Sequence, residues 1–397
     1  MNCIVFFTTI SYLDDILPLM FELKAANKIS SVVFITSKEK WFDYVKKNVV
    51  LYDGIKTLGG RLAYLNKYKN RYLKLLYNIF ILKKYFYSKV LTIESHVGFQ
   101  KGSRLIAQVL LFNQKYWKGK RVLSQTKNWP MEMHLGFMKN VWSVLGREKS
   151  KEQTVKGYDA ILYTHSLEEY EKIIDTKIVT NAMIIQVGYT RVMKEWKSFV
   201  NKNIEKYISR EITIPYFFFP LAVTGGAWMK GEKCATGRER LVECLKVFKN
   251  YNSEILTVFK PHHKTDLEEF DKILEVSNYT NYIISYLHPT MLIRNARFTF
   301  VCSPSALIWE AYYYGCPTVE YADYDERCYQ ALKGKTIHTG CVDYFINRDV
   351  KKLKQVAEML ILNNEDVKRT YKRPDNKIPM PNIQEIIMNI SNCVLKE

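Results

Sequence analysis

Residues 255–266 read I-L-T-V-F-K-P-H-H-K-T-D. The first five are aliphatic, β-branched or aromatic, as in a buried strand, and the chain then leaves through Lys260, Pro261, His262 and His263 toward an acidic stretch, 267–275, with helical spacing. In an open parallel sheet the ligand lies beyond the carboxyl ends of the strands. A lysine and two imidazoles at such an exit, leading into a helix N-terminus, are placed for a phosphate or carboxylate. Thr265 and Asp266 could simply cap that helix, which accounts for them but leaves the histidines and the lysine unexplained.

Working outward, the next strand-like run, 298–301, ends in Ser303-Pro304-Ser305-Ala306 and opens a helix that carries Glu310 and Ala311 before Gly315, Cys316 and Pro317. Two hydroxyls and unpaired backbone N–H groups at a helix start suit a phosphate. Glu310, about a turn and a half further on, could face the same cleft and accept hydrogen bonds from a ribose. Alternatively Ser303 or Ser305 is a plain N-cap and Glu310 a surface carboxylate. Gly225 and Gly226, after the strand at 216–220, form a loop that either lets backbone approach a ligand or is only a turn.

Strand-like and helical segments alternate along both halves of the chain, the signature of parallel sheets covered by helices. The first half has strands at 3–8, 31–36, 90–93, 121–124, 160–163 and 183–187. The second restarts the pattern at 216–220, 255–259, 282–284, 298–301 and 318–321, and a last amphipathic helix covers 383–394. The 397 residues exceed one ordinary core. The predicted division is an N-terminal Rossmann-like domain over 1–195, a polar connection over 196–211, a C-terminal nucleotide-binding domain over 212–375, and a closing helix over 376–397.

The ordered set of strand, K-P-H-H, strand, S-P-S-A, helix with Glu-Ala, Gly-x-Pro and strand resembles the C-terminal half of GT-B glycosyltransferases. The K-P-H-H and S-P-S pair looks like the His-Pro and Ser-Ser elements of bacterial sialyltransferases, polysialyltransferases and Kdo transferases, although His263 stands where those have proline. The resemblance covers about residues 216–321, and Gly188-Tyr189-Thr190-Arg191 is similar to the domain-junction segment of the wider superfamily. It implies an α/β, GT-B architecture with two Rossmann-like parallel-sheet domains facing a central cleft. It further implies a CMP-activated ulosonic acid, sialic-acid-like or Kdo, as donor substrate, and a bacterial surface polysaccharide or lipid-linked glycan as acceptor. By the same resemblance Lys260, His262, His263, Ser303, Ser305 and Glu310 hold the donor, joined by the Gly225–Gly226 loop. UDP-sugar transferases, UDP-GlcNAc 2-epimerases and CDP-glycerol glycerophosphotransferases share much of this skeleton and stay open as alternatives.

An acceptor hydroxyl needs a base, and the resemblance implies that it comes from the N-terminal domain. Glu94 and His96, just after the strand at 90–93, and Asp15 are the candidates; Asp14 and Asp15 could instead only open the first long helix. The D-x-D at Asp323-Tyr324-Asp325 reads as a solvated acidic loop, and no metal or cofactor is expected. The eight cysteines lack metal-site spacing and read as buried thiols.

The net charge is +19, and its distribution is uneven. Between Asp53 and Glu94 there is no acidic residue, while Lys56, Arg61, Lys67, Lys69, Arg71, Lys74, Lys83, Lys84 and Lys89 are basic. Tyr64, Tyr68, Tyr72, Leu75, Leu76, Ile79 and Phe80 recur there at helical spacing. That combination suits either an anionic membrane surface contacted through 54–93 or an ordinary core-facing helix with a solvated basic side. No recognised nucleic-acid motif accompanies the charge, so nucleic acid is not an expected partner; a non-catalytic membrane-surface or nucleic-acid-binding protein is the non-enzyme alternative. With neither signal peptide nor spanning segment in the sequence, the expected location is cytoplasmic, peripheral on the inner face of the membrane if the basic helix binds lipid.

Overall fold

A computed structural model describes residues 1–65, 67–86, 88–95, 115–125, 152–164, 167–174, 177–212, 214–221, 237–262, 265–302, 305, 307–324, 326–336, 338, 340–362 and 382–395. By its internal contacts the chain divides into two compact units. The first takes in the described parts of Met1–Asn128, Lys149–Asn201 and Ile378–Glu397, and the second those of Lys202–Lys377.

The first unit runs β1 (Asn2–Phe6), α1 (Ile10–Ala25), β2 (Ser31–Thr36), α2 (Glu39–Lys47), α3 (Val49–Thr57), β3 (Arg61–Tyr64), α4 (Arg71–Phe86), β4 (Val90–Glu94), β5 (Lys120–Gln125), β6 (Gln153–Thr154), β7 (Ala160–Tyr163), α5 (Leu167–Ile174), β8 (Ile178–Val179) and β9 (Met183–Gln186), into α6 (Lys194–Glu211). Its main sheet is seven-stranded, with order β3-β2-β1-β4-β5-β7-β9. The pairings are parallel. Both faces of such a sheet are covered, so its central strands are buried even where they carry polar residues: β4 is buried at every position although it reads V-L-T-I-E.

The second unit contains β10 (Tyr216–Leu221), α7 (Gly237–Phe248), β11 (Leu256–Pro261), α8 (Leu267–Ser277), β12 (Tyr282–Ile284), α9 (Pro289–Asn295), β13 (Thr299–Val301), α10 (Leu307–Tyr313), β14 (Thr318–Ala322), α11 (Glu326–Ala331), β15 (Tyr344–Asn347) and α12 (Val350–Leu362). Its sheet has order β12-β11-β10-β13-β14-β15, again parallel. One face packs on α7, α8 and α12 through an aromatic core in which Phe217 stacks on Phe298 at 4.8 Å and Phe219 meets Phe259 and Phe300. The closing helix α13 (Ile383–Leu395) belongs to the first unit, packing against β9 and α1.

Three details differ from the sequence reading. Tyr64 ends the strand β3, so the basic amphipathic helix begins only at Arg71. Asp14 and Asp15 do not open α1, which starts at Ile10 and has no acidic residue in its first turn. The last strand, β15, and the helix α12 after it follow the segments that the apolar pattern marked, because a half-buried edge strand shows less contrast than a central one. Cys3, Cys244, Cys302, Cys316, Cys341 and Cys393 are buried thiols outside any disulfide, as expected; Cys234 and the side chain of Cys328 lie outside the described residues.

Candidate functional site

In the second unit the strand order reverses at β10: β11 and β12 lie on one side of it, β13 to β15 on the other. A crevice at the carboxyl ends beside such a reversal is where ligands sit in open α/β sheets. The two sequence signals emerge on either side of this point, K-P-H-H from β11 and S-P-S-A from β13.

The β11 exit is tied to the end of β10. The backbone N–H of His262 donates to the Leu221 carbonyl at 3.1 Å, and the Thr265 hydroxyl donates to the same oxygen at 3.0 Å. Thr265 N–H closes the turn onto the His262 carbonyl at 2.8 Å. Asp266 caps α8, its carboxylate accepting from the N–H groups of Glu268 and Glu269. Thr265 and Asp266 are thus accounted for structurally, while the His262 side chain stands exposed on a loop whose backbone is fixed. Lys260 is different in kind: it is buried, and its Nζ reaches the Tyr286 carbonyl at 3.4 Å. His263 lies outside the described residues, as do Gly225 and Gly226.

At the β13 exit, Ser305 is half-buried and caps α10, its Oγ accepting from Leu307 N–H at 3.3 Å. A hydroxyl that accepts there keeps its own proton to donate. Ser303 lies outside the described residues. Glu310 is not a surface carboxylate. It is fully buried and accepts a hydrogen bond from the Thr290 hydroxyl at 3.4 Å, joining α10 to the first turn of α9. His288 caps α9, its Nδ1 accepting from Thr290 N–H at 3.2 Å. A carboxylate and an imidazole therefore converge on Thr290 behind the strand ends, a pairing that the sequence spacing of 288, 290 and 310 did not disclose.

A second buried polar cluster escaped the sequence reading altogether. Glu320, inside β14, accepts from the Tyr324 hydroxyl at 2.8 Å and from the Thr336 hydroxyl, and faces His338 Nδ1 at 3.3 Å. Burial acts to raise the Glu320 carboxyl, but the attraction of His338 and the bonds from His338, Thr336 and Tyr324 outweigh it and hold the group below its ordinary range. The available signal was a glutamate in the middle of an apolar strand, T-V-E-Y-A, which demands a buried partner. Nearby, Asp323 of the D-x-D pairs with Arg348 at 3.2 Å, and Asp325 lies outside the described residues.

The first unit reverses its strand order between β1 and β4. Ser95, the residue after β4, is anchored at that point: its N–H donates to the Phe6 carbonyl and its hydroxyl accepts from Thr8 N–H, both at 3.0 Å. Of the three base candidates, His96 follows directly and lies outside the described residues. Glu94 is fully buried and gripped by Arg121, whose Nε and Nη2 donate to one carboxylate oxygen at 3.0 and 2.8 Å, while the Tyr158 hydroxyl donates to the other at 3.1 Å. Asp15 is held by Arg191 Nε at 3.1 Å, and Asp14 lies 3.7 Å from the same guanidinium. Arg191 is the last residue of the G-Y-T-R segment, so that segment is fastened to α1 by a buried ion pair.

A depression of about 440 Å³ lined by Asp271, Glu275 and Tyr282 lies at the amino end of β12, away from the strand exits. Its acidic lining does not suit a phosphate.

No known protein-family profile matches the chain. No curated protein matches it in sequence. Solved structures do match in fold: a Listeria monocytogenes protein described as a UDP-N-acetylglucosamine 2-epimerase is 12% identical with a TM-score of 0.53, the alignment covering 98% of this chain and 96% of that one. A UDP-N-acetylglucosamine 2-epimerase from Rickettsia bellii is 12% identical with a TM-score of 0.50, covering 100% and 96%. The GT-B domain of a Photobacterium damselae sialyltransferase is also 12% identical, with a TM-score of 0.43, covering 87% of this chain and 100% of that one. The fold is GT-B, two Rossmann-like parallel-sheet units in one chain.

Proposed function

We propose that this chain is a glycosyltransferase that moves a CMP-activated ulosonic acid, sialic-acid-like or Kdo, onto a bacterial surface or lipid-linked glycan. The observation that carries the reading is the emergence of K-P-H-H and S-P-S-A on the two sides of the strand reversal at β10, with the His262 loop pinned to Leu221. In this reading His262, Lys260 and His263 contact the donor phosphate or cytidine, and Ser303 and Ser305 donate to the phosphate. Glu310, buried against Thr290, would act on the ribose end of the site through that hydroxyl, and the Gly225–Gly226 loop would let backbone approach the donor. Leaving-group stabilisation of this kind needs only preorganised donors at the strand ends. Glu94 and Asp15 are committed to Arg121 and Arg191, so the base we propose is His96, next in sequence to the anchored Ser95.

The test is nucleotide binding followed by turnover. CMP should raise the melting temperature more than CDP or UDP, and His262→Ala should weaken CMP binding about tenfold or more, as expected for a hydrogen bond to a charged group. The melting temperature of the free protein should not change, since the side chain is exposed. Stabilisation by UDP alone overturns the donor and favours a UDP-sugar transferase or 2-epimerase chemistry on the same skeleton. Binding of CMP without release of sugar from any CMP-ulosonic acid overturns the catalytic assignment.

A further inference from the structure

The helix α4 is apolar on two opposite sides. Its inner side carries Leu82 and Tyr85 into the core formed by Ile4, Phe6, Val33, Ile35 and Val90. Its outer side carries Tyr72, Leu73, Leu75, Leu76, Ile79 and Phe80, of which Tyr72 is 76%, Phe80 71% and Leu76 62% exposed. The segment 72, 73, 75, 76, 79, 80 is one contiguous face at helical spacing. Asn70 fixes its start, accepting from the N–H groups of Tyr72 and Leu73 at 2.9 and 3.2 Å. Scattered surface leucines need no explanation, but an aromatic and aliphatic face of this length marks an interaction surface.

The charge around the face selects its occupant. Lys67, Lys69 and Lys83 are exposed beside it, Lys67 lying over the rings of Tyr68 and Tyr77 at 5.4 and 5.2 Å, and no residue from 54 to 93 is acidic. Docking two copies face to face through this helix would bring the same cations together with no carboxylate of the segment to meet them. An anionic lipid surface satisfies both features: rings and leucines enter the boundary of headgroups and acyl chains while the lysines meet phosphates. We infer that α4 is a monotopic membrane-docking helix, lying in the plane of an anionic bilayer on its Tyr72–Leu76–Phe80 side. Among the described residues no helix is long and apolar enough to cross a membrane, so attachment of this kind is peripheral. The inference deepens the proposed action on a lipid-linked acceptor and rests on that reading only for its purpose.

The experiment is co-flotation of the whole chain with vesicles of phosphatidylcholine alone or mixed with phosphatidylglycerol, without donor or acceptor. Wild type should float with the mixed vesicles and stay below with the neutral ones. Leu76→Glu with Phe80→Glu should abolish flotation, and Lys67→Gln with Lys69→Gln should lower partitioning about thirtyfold at low salt. All four positions are exposed, so circular dichroism and the response to CMP should match wild type in both variants. Equal partitioning into neutral and mixed vesicles, or unaltered flotation of the Leu76→Glu, Phe80→Glu variant, overturns the inference. So does a dimer in sedimentation analysis that this variant dissociates, with no vesicle binding by wild type, which gives the face to a second copy. Because no turnover is read, a failed donor assignment leaves this result standing, and the reverse.

Discussion

At the scale of single residues, buried carboxylates are held by specific partners. Arg121 and Arg191 each neutralise a carboxylate that the sequence had offered as a base. Removing one partner of such a pair strands the other, which costs more than the pair itself contributes. Glu320 gives the sharpest test of this. Its folded value lies below the ordinary 4.5, so its contribution is complete above that value and is lost as the pH falls through the lower folded one. Glu320→Gln should therefore cost about 3 kcal/mol at neutral pH. The gap from wild type should narrow as the medium is acidified, which urea unfolding at several pH values measures. An equal loss at every pH would mean that the carboxylate charge does not matter. His262 makes the contrast: it is exposed, and its backbone is bonded to Leu221 and Thr265, so under the proposed function the main effect of changing it should be read in nucleotide affinity.

At the scale of elements, the turn from α3 into β3 shows how local sequence sets a strand in register. Leu58-Gly59-Gly60 ends the helix, and Gly60 N–H donates to the Ile55 carbonyl at 2.9 Å. Gly59 has φ of +67° with open space around it, whereas a Cβ on Gly60 would sit 2.9 Å from the Ile55 oxygen and 3.0 Å from a Val32 methyl. Gly59→Ala should lose about 1 kcal/mol from backbone strain alone. Gly60→Ala should lose about 2 kcal/mol or more because backbone and β2 must move. Chemical denaturation of the two variants checks the order, and a reversed order would mean that β3 shifts freely. Elsewhere the elements were legible wherever the apolar run was central in its sheet. The strands β10 and β13, where Phe217 stacks on Phe298, appear where the pattern put them. The helix α4 was legible as basic and amphipathic, but its having two apolar sides was not. Which side faces the core depends on β2, β3 and β4, which lie outside its own sequence.

At the scale of the whole molecule there are two parallel sheets with separate cores: K-P-H-H and S-P-S-A follow the strands on the two sides of the reversal at β10, and Ser95 is anchored at the reversal between β1 and β4. If CMP binds as proposed, hydrogen exchange should slow in 256–262 and 307–313 while β1 and α1 exchange as before. Protection confined to the first unit would move the donor to the other sheet. The sequence by itself determined the alternation of elements, the parallel sheets, the positions of K-P-H-H and S-P-S-A after their strands, and the charge asymmetry of 54–93. Each of these is written in periodicity, composition or adjacency along the chain. Only the tertiary structure decided that Glu94 and Asp15 are bound to arginines, that Glu310 is buried against Thr290, that Glu320 meets His338, and that one face of α4 is left bare. Those facts depend on which distant residues share a place in space, with separations as large as that of Asp15 from Arg191, and no local pattern encodes such a meeting.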